Sequence, residues 1–246
     1  MGGGKFEEDR HMAPVAIVAG AAQGSGTAVA VQLAELGWDV AMLRPDGTAG
    51  AEAVDRVRET GRRAMAVRTD VADSVSVDAA LGRVCAELGD PNVLVNTVAA
   101  TVRGPLGRIS DEDWRALAGR PLRGLFVVSR SVIDPMIRQG RGRIVNIADV
   151  SAPATDGPHD HSTVLAGLEG FTRTIALELR AFGITVNAVA PAPPAADIRT
   201  GAAPRSAGAA ATRYAARVAA AVPLLVGDGA SSVTGQVVHV GDEEMV

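Results

Sequence analysis

"PVAIVAGAAQGSGTAVAVQLAELG", residues 14–37, is the stretch whose reading decides the fold. "PVAIVAG" (14–20) is a short apolar run ending in glycine, the pattern of a buried strand entering a tight turn. "GTAVAVQLAELG" (26–37) follows with helical periodicity and stops at Gly37. Between them Gly20, Gly24 and Gly26 fall in a G-x-x-x-G-x-G spacing. Glycines allow the sharp turn and let a phosphate group approach the backbone. The next helix offers unpaired N–H groups and the positive end of its dipole to an anion. Glycines also simply make turns, so the pattern draws its weight from lying between a strand and a helix.

Outward from this unit the same alternation continues. "DVAML" (39–43), "RAMAVRTD" (63–70), "NVLVN" (92–96), "GRIVNIA" (142–148), "ITVNAVA" (184–190) and "GQVVHVG" (235–241) read as strands. Residues 48–61, 73–88, 111–138 and 161–181 read as helices. Strands alternating with helices imply a parallel sheet covered on both faces. The expected fold is therefore α/β: one doubly wound, Rossmann-like domain with a seven-stranded parallel sheet. Its ligand crevice is expected at the carboxyl ends of the strands. "PAPPAADIRTGAAPRSAGAAA" (191–211) is the least regular stretch, read either as a lid over the crevice or as an irregular connection.

Composition bounds the function. The 246 residues are 47% hydrophobic and 21% charged, with net charge −4, which suits one domain with a large core. No basic run suggests a nucleic-acid partner. No apolar run reaches the roughly 20 residues that span a membrane. The single cysteine, Cys85, excludes an internal disulfide framework and suggests a cytoplasmic protein. Residues 1–11, "MGGGKFEEDRH", read as an expression tag ahead of Met12, which leaves 12–246 as the domain. Lys5, inside that tag, is the sole lysine, and Tyr214 is the sole tyrosine.

These pieces together resemble the short-chain dehydrogenase/reductase family. The resemblance is carried by "AGAAQGSG" (19–26), "TDV" (69–71), "LVN" (94–96), "GRIVNI" (142–147), "AGLEGFTRTIALELRAFGITVNAVAP" (166–191) and "VTGQVVHV" (233–240). It implies NAD(P)-dependent oxidation or reduction of alcohols and carbonyls, and assembly into dimers or tetramers. The family's chemistry rests on a tyrosine, a lysine four residues later, a serine after the fifth strand and an asparagine in the preceding long helix. The flanking motifs set His161 at the tyrosine position, Leu165 at the lysine position and Asp149 at the serine position. Counting from Trp114 to Gly124 and Phe126 sets Pro121 at the asparagine position. All four differ. Leu165 has no charge to tune a neighbour, and Pro121 lacks an amide side chain. Asp149 and His161 can both move protons, and a carboxylate beside a histidine favours its charged form.

The resemblance also divides the implied cofactor site. Gly20, Gly24, Ser25 and Gly26 match its phosphate turn, and Asp70 and Val71 the pair that frames adenine. Asn96 heads the motif after the fourth strand, where the family's Asn-Asn-Ala-Gly is replaced by Asn96-Thr97-Val98-Ala99. Arg44, after the second strand, suits a 2′-phosphate and hence NADP, or is a solvated loop charge. The nicotinamide half has lost several supports, so NADP binding is expected to be weak or absent. No metal is expected, because His159, His161, Asp156 and Asp160 have few further ligands near them; a polar helix start capped by Asp160 or Ser162 is the plainer reading.

Three functional readings follow. The first is a non-catalytic subunit, forming a homo-oligomer or a hetero-oligomer with an active homologous chain. The second is a non-redox acid/base enzyme, a cyclase, dehydratase or isomerase, using Asp149 and His161. The third is an NADP-dependent oxidoreductase using His161 in place of tyrosine. Assembly is expected through residues 111–138 and 161–181, where Leu168, Phe171, Ile175, Leu177 and Leu179 exceed one helical stripe. A small-molecule ligand is compatible with all three; nucleic acid and membrane partners are not expected.

Overall fold

The computed structural model describes residues 13–20, 25–45, 50–99, 110–149, 162–191 and 207–241. The strands are β1 (Val15–Ala19), β2 (Asp39–Arg44), β3 (Ala64–Arg68), β4 (Pro91–Ala99), β5 (Gly142–Asp149), β6 (Ile184–Pro191) and β7 (Val237–Val240). They form one parallel sheet in the order β3-β2-β1-β4-β5-β6-β7. The order reverses between β1 and β4, which opens a crevice at their carboxyl ends. The seven-stranded doubly wound sheet expected from the sequence is present.

Each strand feeds both faces, because successive side chains point oppositely. Ala16 and Val18 of β1 join a core with Val29, Leu33, Val57, Val218 and Val222. Val15, Ile17 and Ala19 join the opposite core with Val77, Val84, Val128, Met136 and Leu179. The first core is covered by α1 (Ser25–Glu35), α2 (Gly50–Glu59), α7 (Ala207–Ala221) and α8 (Pro223–Val226). The second is covered by α3 (Ser74–Glu87), α5 (Arg120–Gln139) and α6 (Ser162–Leu179).

Two helical regions depart from the sequence reading. The single helix expected over 111–138 is a short α4 (Asp111–Trp114), a π-helical turn (Arg115–Gly119) and then α5. Pro121 offers no N–H to the preceding turn and its ring crowds that turn, and a widened turn relieves both. α4 begins with a capping box: Asp113 N donates to Ser110 Oγ and Ser110 N donates to Asp113 Oδ2, each at 3.1 Å. The second departure is α7, which begins inside the stretch read as irregular. "AGAAATRYAARVAAA" is rich in alanine, the strongest helix former, and composition alone hid that behind its glycine and prolines upstream. Residues 192–206 of the suggested lid lie outside the described residues.

Gly183 ends the 3₁₀ turn (Arg180–Phe182) that follows α6. Its φ is +72°, and an added Cβ would overlap the Gly140 carbonyl oxygen. Gly37 has φ +96° with open space around it. Gly183→Ala should therefore lower unfolding free energy by about 2 kcal/mol or more, and Gly37→Ala by about 1 kcal/mol. Urea unfolding of the two variants checks this; equal losses would contradict the steric part of the argument.

Candidate functional site

The carboxyl end of β1 is held from both sides. Gly20 N donates to Leu43 O at 3.2 Å, and Thr97 Oγ1 donates to Ala19 O at 2.9 Å. Gly20 has φ +82°, and a Cβ there would overlap the Thr97 carbonyl oxygen. Only glycine satisfies both the backbone angle and the close approach of β4. Gly24 lies outside the described residues; Ser25 and Gly26 are buried at the head of α1. Beside this turn lies a cavity of about 190 Å³, lined by Gly20, Val71, Asn96, Val98, Pro121 and Gly124 among others. Gly124 lets α5 pack close, since a Cβ would meet Val71 Cγ2 at 3.0 Å.

Asp149 is the last residue of β5 and is 8% exposed. Its Oδ2 accepts a 2.6 Å hydrogen bond from the Oγ of Ser25, which is 0% exposed. Such a short bond between a hydroxyl and a carboxylate is charge-assisted. Tyr214, on α7, donates to the carbonyl oxygen of the neighbouring Ala148 at 2.6 Å. Burial, and then the negative charge of Asp149, push the Tyr214 hydroxyl well above the ordinary tyrosine range. Three elements distant in sequence thus converge on one buried polar group. His161 and His159 lie outside the described residues, and with them the pairing expected between Asp149 and His161.

The remaining site residues divide by environment. Leu165 packs with Val98, Ala148, Val164 and Leu168 in an apolar cluster at the β5 and β6 side of the crevice. Asn96 lines the cavity and its Nδ2 donates to Ser129 Oγ at 3.1 Å and Asn146 Oδ1 at 2.9 Å. Asn146 Nδ2 in turn donates to Thr172 Oγ1 at 2.9 Å, so the network ties β4 and β5 to α5 and α6. The Asn96 amide is therefore engaged within the protein. Arg44 is a correction to the solvated loop charge considered above: it is the last residue of β2 and 1% exposed. In the sheet it lies across from Arg68 of β3.

Asp70 receives the N–H of Ala72 at 3.0 Å and both its oxygens lie 2.9 Å from Arg120 Nη2. The Ala72 N–H foremost holds its carboxyl below the usual range; burial, next in size, opposes it, and Arg120 adds to the lowering. Arg120 also lines the cavity, one residue before Pro121. Sequence reading missed three partners here: Ser25 for Asp149, Arg120 for Asp70 and Tyr214 for Ala148. Tyr214 stands out as the sole tyrosine, but nothing local in the sequence tells which strand end α7 reaches. Among the described residues no group of His, Cys, Asp and Glu could hold a metal ion, and no helix is long and apolar enough to cross a membrane.

The short chain dehydrogenase family matches residues 14–206. Among curated proteins the chain is similar to the short-chain dehydrogenase/reductase family member NovK of Streptomyces niveus, 38% identical over 93% of this chain and 95% of that protein. It is similar to the 3-oxoacyl-[acyl-carrier-protein] reductase of a Synechocystis strain, 37% identical over 73% of each chain. Among solved structures it is similar to actinorhodin polyketide ketoreductase, determined with NADPH, at TM-score 0.77 and 30% identity over 93% of this chain and 96% of that one. Acetoin dehydrogenase from Enterobacter cloacae superposes at TM-score 0.76 with 32% identity, covering 94% and 95%.

Tyr214 is the sole tyrosine, so tyrosinate absorbance reports on it alone. Its raised folded pKa means that its burial stabilises the protein fully below the unfolded value of about 10, and that this contribution is lost as pH rises beyond it. Ultraviolet titration should show little tyrosinate at a pH where free tyrosine is largely ionised, then a rise coincident with unfolding. Ionisation near pH 10 in the folded protein would contradict the buried hydrogen-bonded placement.

Proposed function

Since this chain belongs to the short-chain dehydrogenase family, we propose that it keeps the family's fold for assembly without its redox chemistry: a non-catalytic subunit of a homo-oligomer or of a hetero-oligomer with an active homologous chain. The observation that carries the reading is Asp149. At the position where the resemblance sets a substrate-binding serine, its carboxylate is already engaged by Ser25. Leu165, at the lysine position, belongs to an apolar cluster, where no ribose hydroxyl would find a donor. Pro121, at the asparagine position, follows a π-helical turn and offers no side-chain amide.

The fit of NADP(H), the cofactor implied by the family, divides in the same way. On the adenine side Val71 and Gly20 border the cavity, which also runs along Asn96, Val98 and Pro121. The side beyond the α1 head does not fit, since Asp149 is held at Ser25 and Leu165 lies in the apolar cluster. We therefore propose that NADP(H) binds weakly or not at all, and we derive no step through it. The surface suits assembly: Phe126 of α5 is 48% exposed beneath Arg130, and Leu177 of α6 is 68% exposed. Leu168 and Leu179 serve the core instead, so fewer α6 positions face outward than the sequence suggested.

One second reading has a specific support. The names of similar proteins include a reductase and a ketoreductase, which favours ordinary NADP-dependent reduction, with His161 as the acid in this chain. The acid/base enzyme built on Asp149 and His161 stays a further reading, since Ser25 engages Oδ2 of Asp149 and His161 lies outside the described residues.

Assay of the purified chain against a panel of carbonyls and alcohols, with either nicotinamide cofactor, should give no turnover above a no-enzyme control. Mixing with an intact homologous chain from the same source should give a heteromer by light scattering. Turnover that His161→Ala abolishes would overturn the non-catalytic reading and establish the reductase.

A further inference from the structure

We infer that Arg120 is a specificity-determining residue: at the rim of the cavity its guanidinium selects a flat ring that carries an acceptor oxygen and disfavours one that carries an amino group. This rests on the reading that the chain keeps its fold without nicotinamide chemistry, and it names the class of ligand that the remaining cavity would take.

The cavity, about 190 Å³, is smaller than the roughly 300–1,000 Å³ that hold drug-sized ligands, so a single ring system suits it. Val71, Val98, Pro121, Leu125 and Val128 give it apolar walls, and Gly20 and Gly124 add no side chain. Two polar side chains of the lining are turned to the protein. Asn96 Nδ2 donates to Ser129 and Asn146, and Thr97 Oγ1 donates to Ala19 O. Arg120 is the one charged side chain among the described residues that line the cavity.

Arg120 is held where it is. Its Nη2 lies 2.9 Å from both oxygens of Asp70, in the loop after β3. Three residues on, Arg123 Nε donates to Ala72 O at 2.7 Å, so α5 is tied to that loop twice. Among the described residues Arg120 makes no other hydrogen bond, which leaves the N–H groups of Nε and Nη1 for a ligand. A guanidinium has five N–H donors and no acceptor. Asp70 is engaged at both oxygens, and its Oδ1 also receives the Ala72 N–H.

A ring whose edge carries a carbonyl therefore gains a charge-assisted hydrogen bond at the rim. A ring whose edge carries an amino group meets N–H against N–H, and the carboxylate that could accept from it already has its partners. The Arg120 side chain is 63% exposed, which holds the preference to about fivefold, below what a buried site would give. Nicotinamide cofactors carry an amino group on their purine, so the same rim adds to the weak NADP(H) binding proposed above.

The test is a ligand-observed NMR titration of the full chain with two uncharged probes, inosine and adenosine. They present a carbonyl and an amino group, respectively, at the same edge of the purine. The wild type should bind inosine more tightly by about fivefold. Arg120→Met, which keeps the apolar stem, removes the donors and frees Asp70, should abolish or reverse the preference. Arg120→Gln, whose amide both donates and accepts, should bind the two probes alike. Equal binding by the wild type, a preference for adenosine, or no binding of either probe would overturn the inference. A preference for inosine that survives Arg120→Met would overturn it as well. Turnover with a nicotinamide cofactor, measured apart from binding, bears on the non-catalytic reading alone. A chain that turns over and prefers inosine keeps the inference; an inert chain that prefers adenosine keeps the reading.

Discussion

The hydrogen bond from Ser25 to Asp149 joins the head of the first helix to the end of the fifth strand. A parallel sheet covered on both faces leaves its polar chemistry at the strand ends, where helices begin and loops cross. There every buried polar group must find a partner, because an unmatched one costs about 1–3 kcal/mol and a charge costs more. A carboxylate at the end of β5 therefore has to be answered from inside the fold. Ser25 answers it, and Tyr214 fixes the adjoining carbonyl from α7. The crevice is organised around that requirement.

The same economy of partners explains the neighbouring residues. Asn96 and Asn146 sit side by side on β4 and β5 and pass hydrogen bonds outward to Ser129 and Thr172. This network locks the two long helices onto the sheet from within. Beyond it the crevice turns apolar, with Val98, Ala148, Val164 and Leu165 together. Polar satisfaction at one end and hydrophobic packing at the other leave a scaffold that is well specified. Similar proteins named as reductases share the fold, but activity belongs to sites and not to folds.

Much of this architecture is legible in the chain. The strand, glycine turn and helix of residues 14–37 set the first βα unit, and apolar runs bounded by turns mark the other strands to within a few residues. What the sequence hides is non-local. Pro121 announces a break but not the π-helical turn that absorbs it. Arg44 follows an apolar run and reads either as a 2′-phosphate contact or as a solvated loop charge, yet the strand continues through it and it is buried. Alanine-rich residues 207–221 have the propensity for α7, but the prolines before them suggest irregularity. Asp149 is legible as an unusual residue in its position, but nothing in the sequence shows that Ser25, 124 positions away, donates to it. Spacing along the chain carries no information about such a pairing.

The most direct test of this account is a crystal structure of the chain soaked with NADP. The account expects Asp149 to remain on Ser25, with no ordered nicotinamide beside Leu165. A nicotinamide ordered against Leu165, with Asp149 swung away from Ser25, would contradict it.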